Sequence, residues 1–133
     1  MVAYLSHTTV DCSDAFALSA WWREVLAYGE DPDDPNEAGD EECMIYSPDR
    51  THRLLFIEVP DTKQTKNRIH FDLRPSEQTR DEELAGLVGL GATQVADRRR
   101  QDGTGWVVLA DPEGNEFCIL RSDGEVAASP AIR

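Results

Sequence analysis

Two histidines carry the chemistry this sequence could do. His7 opens the stretch His7-Thr-Thr-Val-Asp-Cys-Ser13-Asp14, and His70 opens His70-Phe-Asp-Leu-Arg-Pro-Ser76-Glu77. An imidazole titrates near neutral pH and can either ligate a metal or move a proton. Each stretch reads as a strand that runs into an acidic helix start. Each half later reaches a glycine, at Tyr28-Gly29 and at Leu90-Gly91. A repeat of about 60 residues is too long for a solenoid unit and points to two similar modules packed as a pair. Such a pair would bring the two histidines to equivalent positions around a pseudo-twofold axis.

Strand alternation then selects their neighbours, because successive side chains point to opposite faces. His70, Asp72 and Arg74 share one face, while Ile69, Phe71 and Leu73 share the apolar face that should pack under a helix. His7, Thr9 and Asp11 share a face opposite Thr8, Val10 and Cys12. When the last strand of each module is aligned with its histidine, Phe56 falls opposite His7 and Cys118 opposite His70. The floor of a shared cup would thus present His7, Phe56, His70 and Cys118, with Glu58 and Glu116 one rung away. A Cys118 nucleophile would need a base in hydrogen-bond reach, which His70 could supply; a small thiol that only packs is the alternative. Glu58 and Glu116 are candidate general bases if a pocket desolvates one of them, or else solvated strand-end carboxylates. Trp106 begins the run Trp-Val-Val-Leu-Ala110 and offers an aromatic wall if it faces the cup; a slip of one residue would move it into the core. His52 lies in a turn and reads as a surface residue.

The elements that must position these groups follow from pattern. Residues 3–12 read as a strand, and Ser13 or Asp14 can cap the next helix. Leu18, Trp21, Trp22 and Val25 form one apolar helical stripe, and Gly29 sits where a left-handed helix cap is expected. Residues 30–41 form an acidic, proline-containing loop, either a lid over the cup or a surface loop. Strands are expected at about 42–47 and 53–59, split by Ser47-Pro-Asp-Arg50. Residues 60–66 would link the modules, and a strand follows at about 67–74. Thr79-x-x-Glu82 is a capping-box pattern, and Gly91 should close that helix. Strands at about 92–98, 105–110 and 116–121 finish the second module. One domain of residues 1–133 is expected, with modules at about 3–60 and 67–121 and a flexible tail over 122–133. The class is α+β, with sheets covered on one face by helices.

Composition narrows the partners. Net charge is −13 over 133 residues, so nucleic acid is not an expected partner. Arg98-Arg99-Arg100, beside Asp97 and Asp102, reads as a solvated hairpin end. No apolar run approaches a membrane span, and no signal peptide is read at the start. Three cysteines, an odd number without Cys-x-x-Cys, argue against a disulfide framework and for a reducing cytoplasm.

The paired modules, His7 with Asp14, His70 and Asp111-Pro-Glu-Gly-Asn-Glu-Phe-Cys-Ile-Leu120 resemble the glyoxalase/bleomycin-resistance/dioxygenase superfamily, also called vicinal oxygen chelate, and most of all its small bacterial glyoxalase-like branch. The resemblance covers nearly all of residues 3–121. It implies two βαβββ modules that form an open, cup-shaped, mixed and antiparallel sheet with helices on the outer face. It also implies a small-molecule ligand in the cup, bound by His7, Phe56, His70, Asp72, Trp106 and Cys118, and a homodimer. His7 matches the first-strand metal ligand of the superfamily's enzymes and His70 its counterpart. The last-strand ligand is usually Glu, and here that position is Cys118. His7, His70 and Cys118 could hold one divalent metal (Zn, Ni, Mn or Fe), but the missing Glu favours a cup that holds none. With a metal, the chain would be a lyase, isomerase or dioxygenase in which Glu58 or Glu116 shuttles a proton. Without one, it would be a drug-binding module of the bleomycin-resistance type.

Overall fold

A computed structural model describes residues 1–129. The chain divides into two compact units, Met1–Thr62 and Lys63–Arg133.

In the first unit, β1 (Thr8–Cys12) leads into α1 (Ala15–Leu26), followed by β2 (Glu42–Tyr46) and β3 (Arg53–Glu58). The sheet order is β1-β3-β2, with β1 parallel and β2 antiparallel to β3. The Asp14 carboxylate accepts from the Ala17 amide and caps α1. The apolar stripe buries Leu18, Trp21 and Trp22, and the two indoles meet edge to face at 5.1 Å. Leu54, Phe56, Cys43 and Ile45 are fully buried on the sheet face beneath α1, where Ser19 of the helix hydrogen-bonds the Cys43 thiol. Burial raises the pKa of that thiol, against the pull of the Ser19 hydrogen bond.

Two local expectations change here. Gly29 does not cap α1. The left-handed position is Ala27, at φ 54°, and Gly29 instead forms a bridge with Tyr46. The first unit therefore runs βαββ, and one bridge stands where the implied βαβββ module would have another strand. His52 is half-buried rather than at the surface, with Nδ1 2.6 Å from the Tyr28 hydroxyl.

The second unit runs β4 (Asp72–Leu73), α2 (Arg80–Leu90), β5 (Thr93–Asp97), β6 (Val107–Ala110), β7 (Glu116–Ile119) and α3 (Asp123–Ala128). Its order is β4-β7-β6-β5, with β4 parallel to β7 and the other pairs antiparallel. Thr79 and Glu82 form the expected capping box, and Gly91 closes α2 at φ 117°. Val107, Leu109, Phe117 and Ile119 are buried with Leu84 and Leu87 of α2. Arg80 is buried too, and its Nη1 donates to the carbonyls of Gly103, Thr104 and Gly105. This guanidinium holds the β5–β6 hairpin against the start of α2.

The strand expected at about 67–74 is short. Only Asp72 and Leu73 join the ladder, and Ile69 is 84% exposed instead of packed under a helix. The side chain of Asn67 does the pairing there: its Oδ1 accepts from the Glu116 amide at 2.9 Å and its Nδ2 donates to the Glu116 carbonyl at 3.1 Å. The stretch read as a flexible tail holds α3, because Ser122-x-x-Glu125 is itself a capping box. Glu125 Oε2 also accepts from the Arg80 amide at 2.8 Å. Residues 130–133 of that stretch lie outside the described residues. The fold is α+β with open, mixed sheets. Among the described residues, no helix is long and apolar enough to cross a membrane.

Candidate functional site

β7 is the central element of the site. It lies between β4 and β6, so both its edges are hydrogen-bonded and its side chains are held in place. Cys118 pairs with Asp72 on one side and Val108 on the other, and its amide donates to the Phe71 carbonyl at 2.9 Å. Phe117 and Ile119 point into the core under α2, so Cys118 and Glu116 belong to the opposite face.

On that face three ligand types meet. His70 Nδ1 lies 3.2 Å from Asp72 Oδ1 and 4.0 Å from Cys118 Sγ. Ligand atoms of all three residues lie within 4.8 Å of one another. His70 and Asp72 side chains are 36% and 35% exposed, whereas Cys118 is 4% exposed. The result is a thiol recessed in the sheet, rimmed by an imidazole and a carboxylate open to ligand.

This donor set fits a metal ion. Bonds of about 2.0–2.3 Å in a tetrahedral site place ligand atoms roughly 3.3–3.8 Å apart. The observed 3.2 and 4.0 Å fall on either side of that range, and all three ligand atoms lie within 4.8 Å of one another. Three protein ligands would leave a position for substrate. The same contacts do not form a catalytic relay. Both Asp72 and Cys118 approach one nitrogen, Nδ1, whereas a base oriented by a third group uses its two nitrogens separately.

The other expected site residues are distributed unevenly. Glu116 shares the Cys118 face and its carboxylate pairs with Lys66 Nζ at 2.9 Å. Trp106 is half-buried, has the parity of Val108, and lies under the Arg100 guanidinium at 5.6 Å. His7 lies in the first unit just before β1, with Nδ1 3.0 Å from Ser6 Oγ.

Phe56 and Glu58 require a correction. Thr8 pairs with Leu54 and Val10 with Phe56. The face of His7, Thr9 and Asp11 therefore meets Leu55 and Ile57, while Phe56 and Glu58 belong to the opposite face and Phe56 is fully buried there. The offset from His7 to Phe56 is 49 residues and that from His70 to Cys118 is 48, which places an extra residue of the first half between its first and last strands. Yet Thr8 to Leu54 and Asp72 to Cys118 span the same separation, and an added residue reverses every side chain.

Lys66 and Asn67 were missed. Lys66 ends the polar stretch over 60–66 that reads as a linker, and Asn67 opens the strand expected at about 67–74. An Asn side chain carries the donor and acceptor of a peptide group and can stand in for one, but the sequence does not mark that Asn67 does so.

Comparison with known proteins agrees with this architecture. No curated protein matches the chain. Among solved structures, a variant of the fosfomycin resistance protein FosX from Listeria monocytogenes, complexed with Mn(II) and 1S,2S-dihydroxypropylphosphonic acid, superposes with a TM-score of 0.69 at 19% identity, covering 97% of this chain and 98% of that one. FosX from Mesorhizobium loti gives 0.65 at 15% identity, covering 96% and 99%. A glyoxalase/bleomycin resistance protein/dioxygenase family enzyme from Burkholderia phytofirmans gives 0.65 at 22% identity, covering 88% and 97%. At these identities the likeness shows the fold alone. The model of the glyoxalase-like domain matches residues 7–120, and the chain belongs to that family, within the vicinal oxygen chelate superfamily.

Proposed function

We propose that this protein is a metal-assisted enzyme of the glyoxalase-like type, a lyase, isomerase or dioxygenase, that binds a small molecule on the open face of its second unit. The observation that carries this reading is the convergence of His70 Nδ1, Asp72 Oδ1 and Cys118 Sγ within 4.8 Å. A divalent ion bound there would supply Lewis-acid polarisation of a substrate oxygen. The Mn(II) complex of a FosX of the same fold supports the reading. Each protein group has a distinct task. His70, Asp72 and Cys118 hold the ion. Glu116, two residues from Cys118 on the same face, moves a proton to or from the bound molecule. Lys66 keeps that carboxylate in one orientation. Trp106 gives the ligand an aromatic wall.

One observation favours a second reading, a metal-free binding module. Asp72 Oδ1 already partners the His70 imidazole at 3.2 Å, so the cluster is satisfied without an ion. In either case the working form is a homodimer, for which the edge strand β1 offers a route to pairing.

Metal quantification separates the two. Protein purified without chelator or nickel resin is expected to carry close to one equivalent of a divalent metal, or to take it up on addition of Zn, Ni, Mn or Fe(II). A protein that stays empty throughout, yet shifts its melting temperature with aromatic or cationic small molecules, is the binding module.

A further inference from the structure

We infer that Cys118 makes this centre selective for a thiophilic divalent ion, Zn(II) in the first place, over Mn(II). The inference rests on the metal-binding reading above and deepens it. Affinity follows ligand softness: thiolate and imidazole suit Zn(II), whereas carboxylate, carbonyl and water suit Mn(II). Among the described residues, the donor atoms gathered here are one sulfur, one nitrogen and one carboxylate oxygen.

Two features make the sulfur a fixed member of the set. Cys118 lies on the central strand, paired on both sides, and is 4% exposed. Its Sγ is thus held by backbone rather than by a long side chain, and water competes poorly for it. The second carboxylate of this face stands outside the cluster. Glu116 shares the face but stands two residues away, about 6–7 Å along the strand, and its carboxylate is engaged by Lys66. Asp72, directly opposite Cys118 in the ladder, is left as the carboxylate of the site. On binding, the S–H bond breaks, the sulfur–metal bond forms, and the proton leaves to solvent. Neither partner changes oxidation state.

Cobalt(II) titration of the full chain provides the test, with Zn(II) and Mn(II) as competitors. A near-ultraviolet sulfur-to-cobalt charge-transfer band should rise to one equivalent, and Zn(II) should remove it where Mn(II) does not. The band should vanish in Cys118→Ser. In Cys118→Glu, the preference for Zn(II) over Mn(II) should fall by about tenfold or more. The isosteric serine preserves packing, and the wild-type spectrum stands even if a variant fails to fold. Metal bound without the band, or a Cys118→Ser protein with unchanged preference, overturns the inference and leaves the metal-binding reading intact. No binding of any of the three ions overturns both.

Discussion

The two units solve one packing problem in the same way and differ in what they leave on the uncovered face. In each, the first strand runs parallel to the last, β1 to β3 and β4 to β7, and a helix covers one side. In the first unit the last strand offers Leu55 and Ile57 to the uncovered side; in the second it offers Glu116 and Cys118. Carboxylates are present on both first strands, Asp11 and Asp72. Only in the second does a donor from the last strand stand opposite, Cys118 against Asp72, where the first unit pairs Asp11 with Ile57. A repeated scaffold therefore does not repeat its chemistry: where the second unit pairs Asp72 with Cys118, the first pairs Thr9 with Leu55.

The largest expected effect tests the core side of this contrast. Phe56→Ala should destabilise the protein by about 3–5 kcal/mol, as for a buried aromatic, while leaving the metal preference of the folded fraction unchanged. Chemical denaturation measures the first and cobalt competition the second; a small stability loss would mean that Phe56 does not fill the core under α1. Next comes the ligand side. Asp72→Asn and His70→Ala should each weaken metal binding by more than the roughly 10–100-fold typical of an outer-sphere partner. Asp11→Asn, a carboxylate on the first strand of the other unit, should leave affinity where it was. Equal losses in both units would erase the distinction.

Smaller effects test the supports of the second unit. Gly105 sits at φ +92°, and a Cβ there would come within 2.1 Å of the Arg98 carbonyl. Gly105→Ala should therefore cost more than about 1 kcal/mol, read as a lower denaturation midpoint. Ser122→Ala removes one half of the α3 capping box and should cost about 0.5–2 kcal/mol.

The smallest effect is acid sensitivity, and here the units match. Hydrogen bonds from the Thr51 amide and hydroxyl and from Ser47 hold Asp49 to a pKa of about 2. The side chain and then the amide of Arg99 do the same for Asp97, also to about 2. Each folded value lies below the ordinary 3.8. Their stabilisation is complete above that ordinary value and is lost as pH falls toward 2. Asp49→Asn and Asp97→Asn should flatten the fall in melting temperature over that window and lower it slightly at pH 7, where the wild-type carboxylates contribute in full.

Much of this was legible in the sequence because it is local. Thr79-x-x-Glu82, Gly91, the Trp21-Trp22 stripe and the turn at 111–114 each follow from chemistry within one helical turn or one hairpin. The face shared by His70, Asp72 and Cys118 was legible too, since alternation within two strands and one correct offset suffice. The first unit's face was misread because its register depends on where one inserted residue lies, and no local signal marks that place. The shortness of β4 escaped for a related reason. An Asn67 side chain can replace ladder hydrogen bonds, and nothing in the alternation of residues 67–74 announces that it does. α3 was hidden by composition: a stretch of small and polar residues masked a capping box that also ties to Arg80.

The most direct measurement is X-ray absorption at the zinc edge of the zinc-loaded full-length protein. One sulfur scatterer at about 2.3 Å is expected, together with nitrogen and oxygen at about 2.0–2.2 Å. A first shell of nitrogen and oxygen alone, or a protein that takes up no zinc, would contradict this expectation.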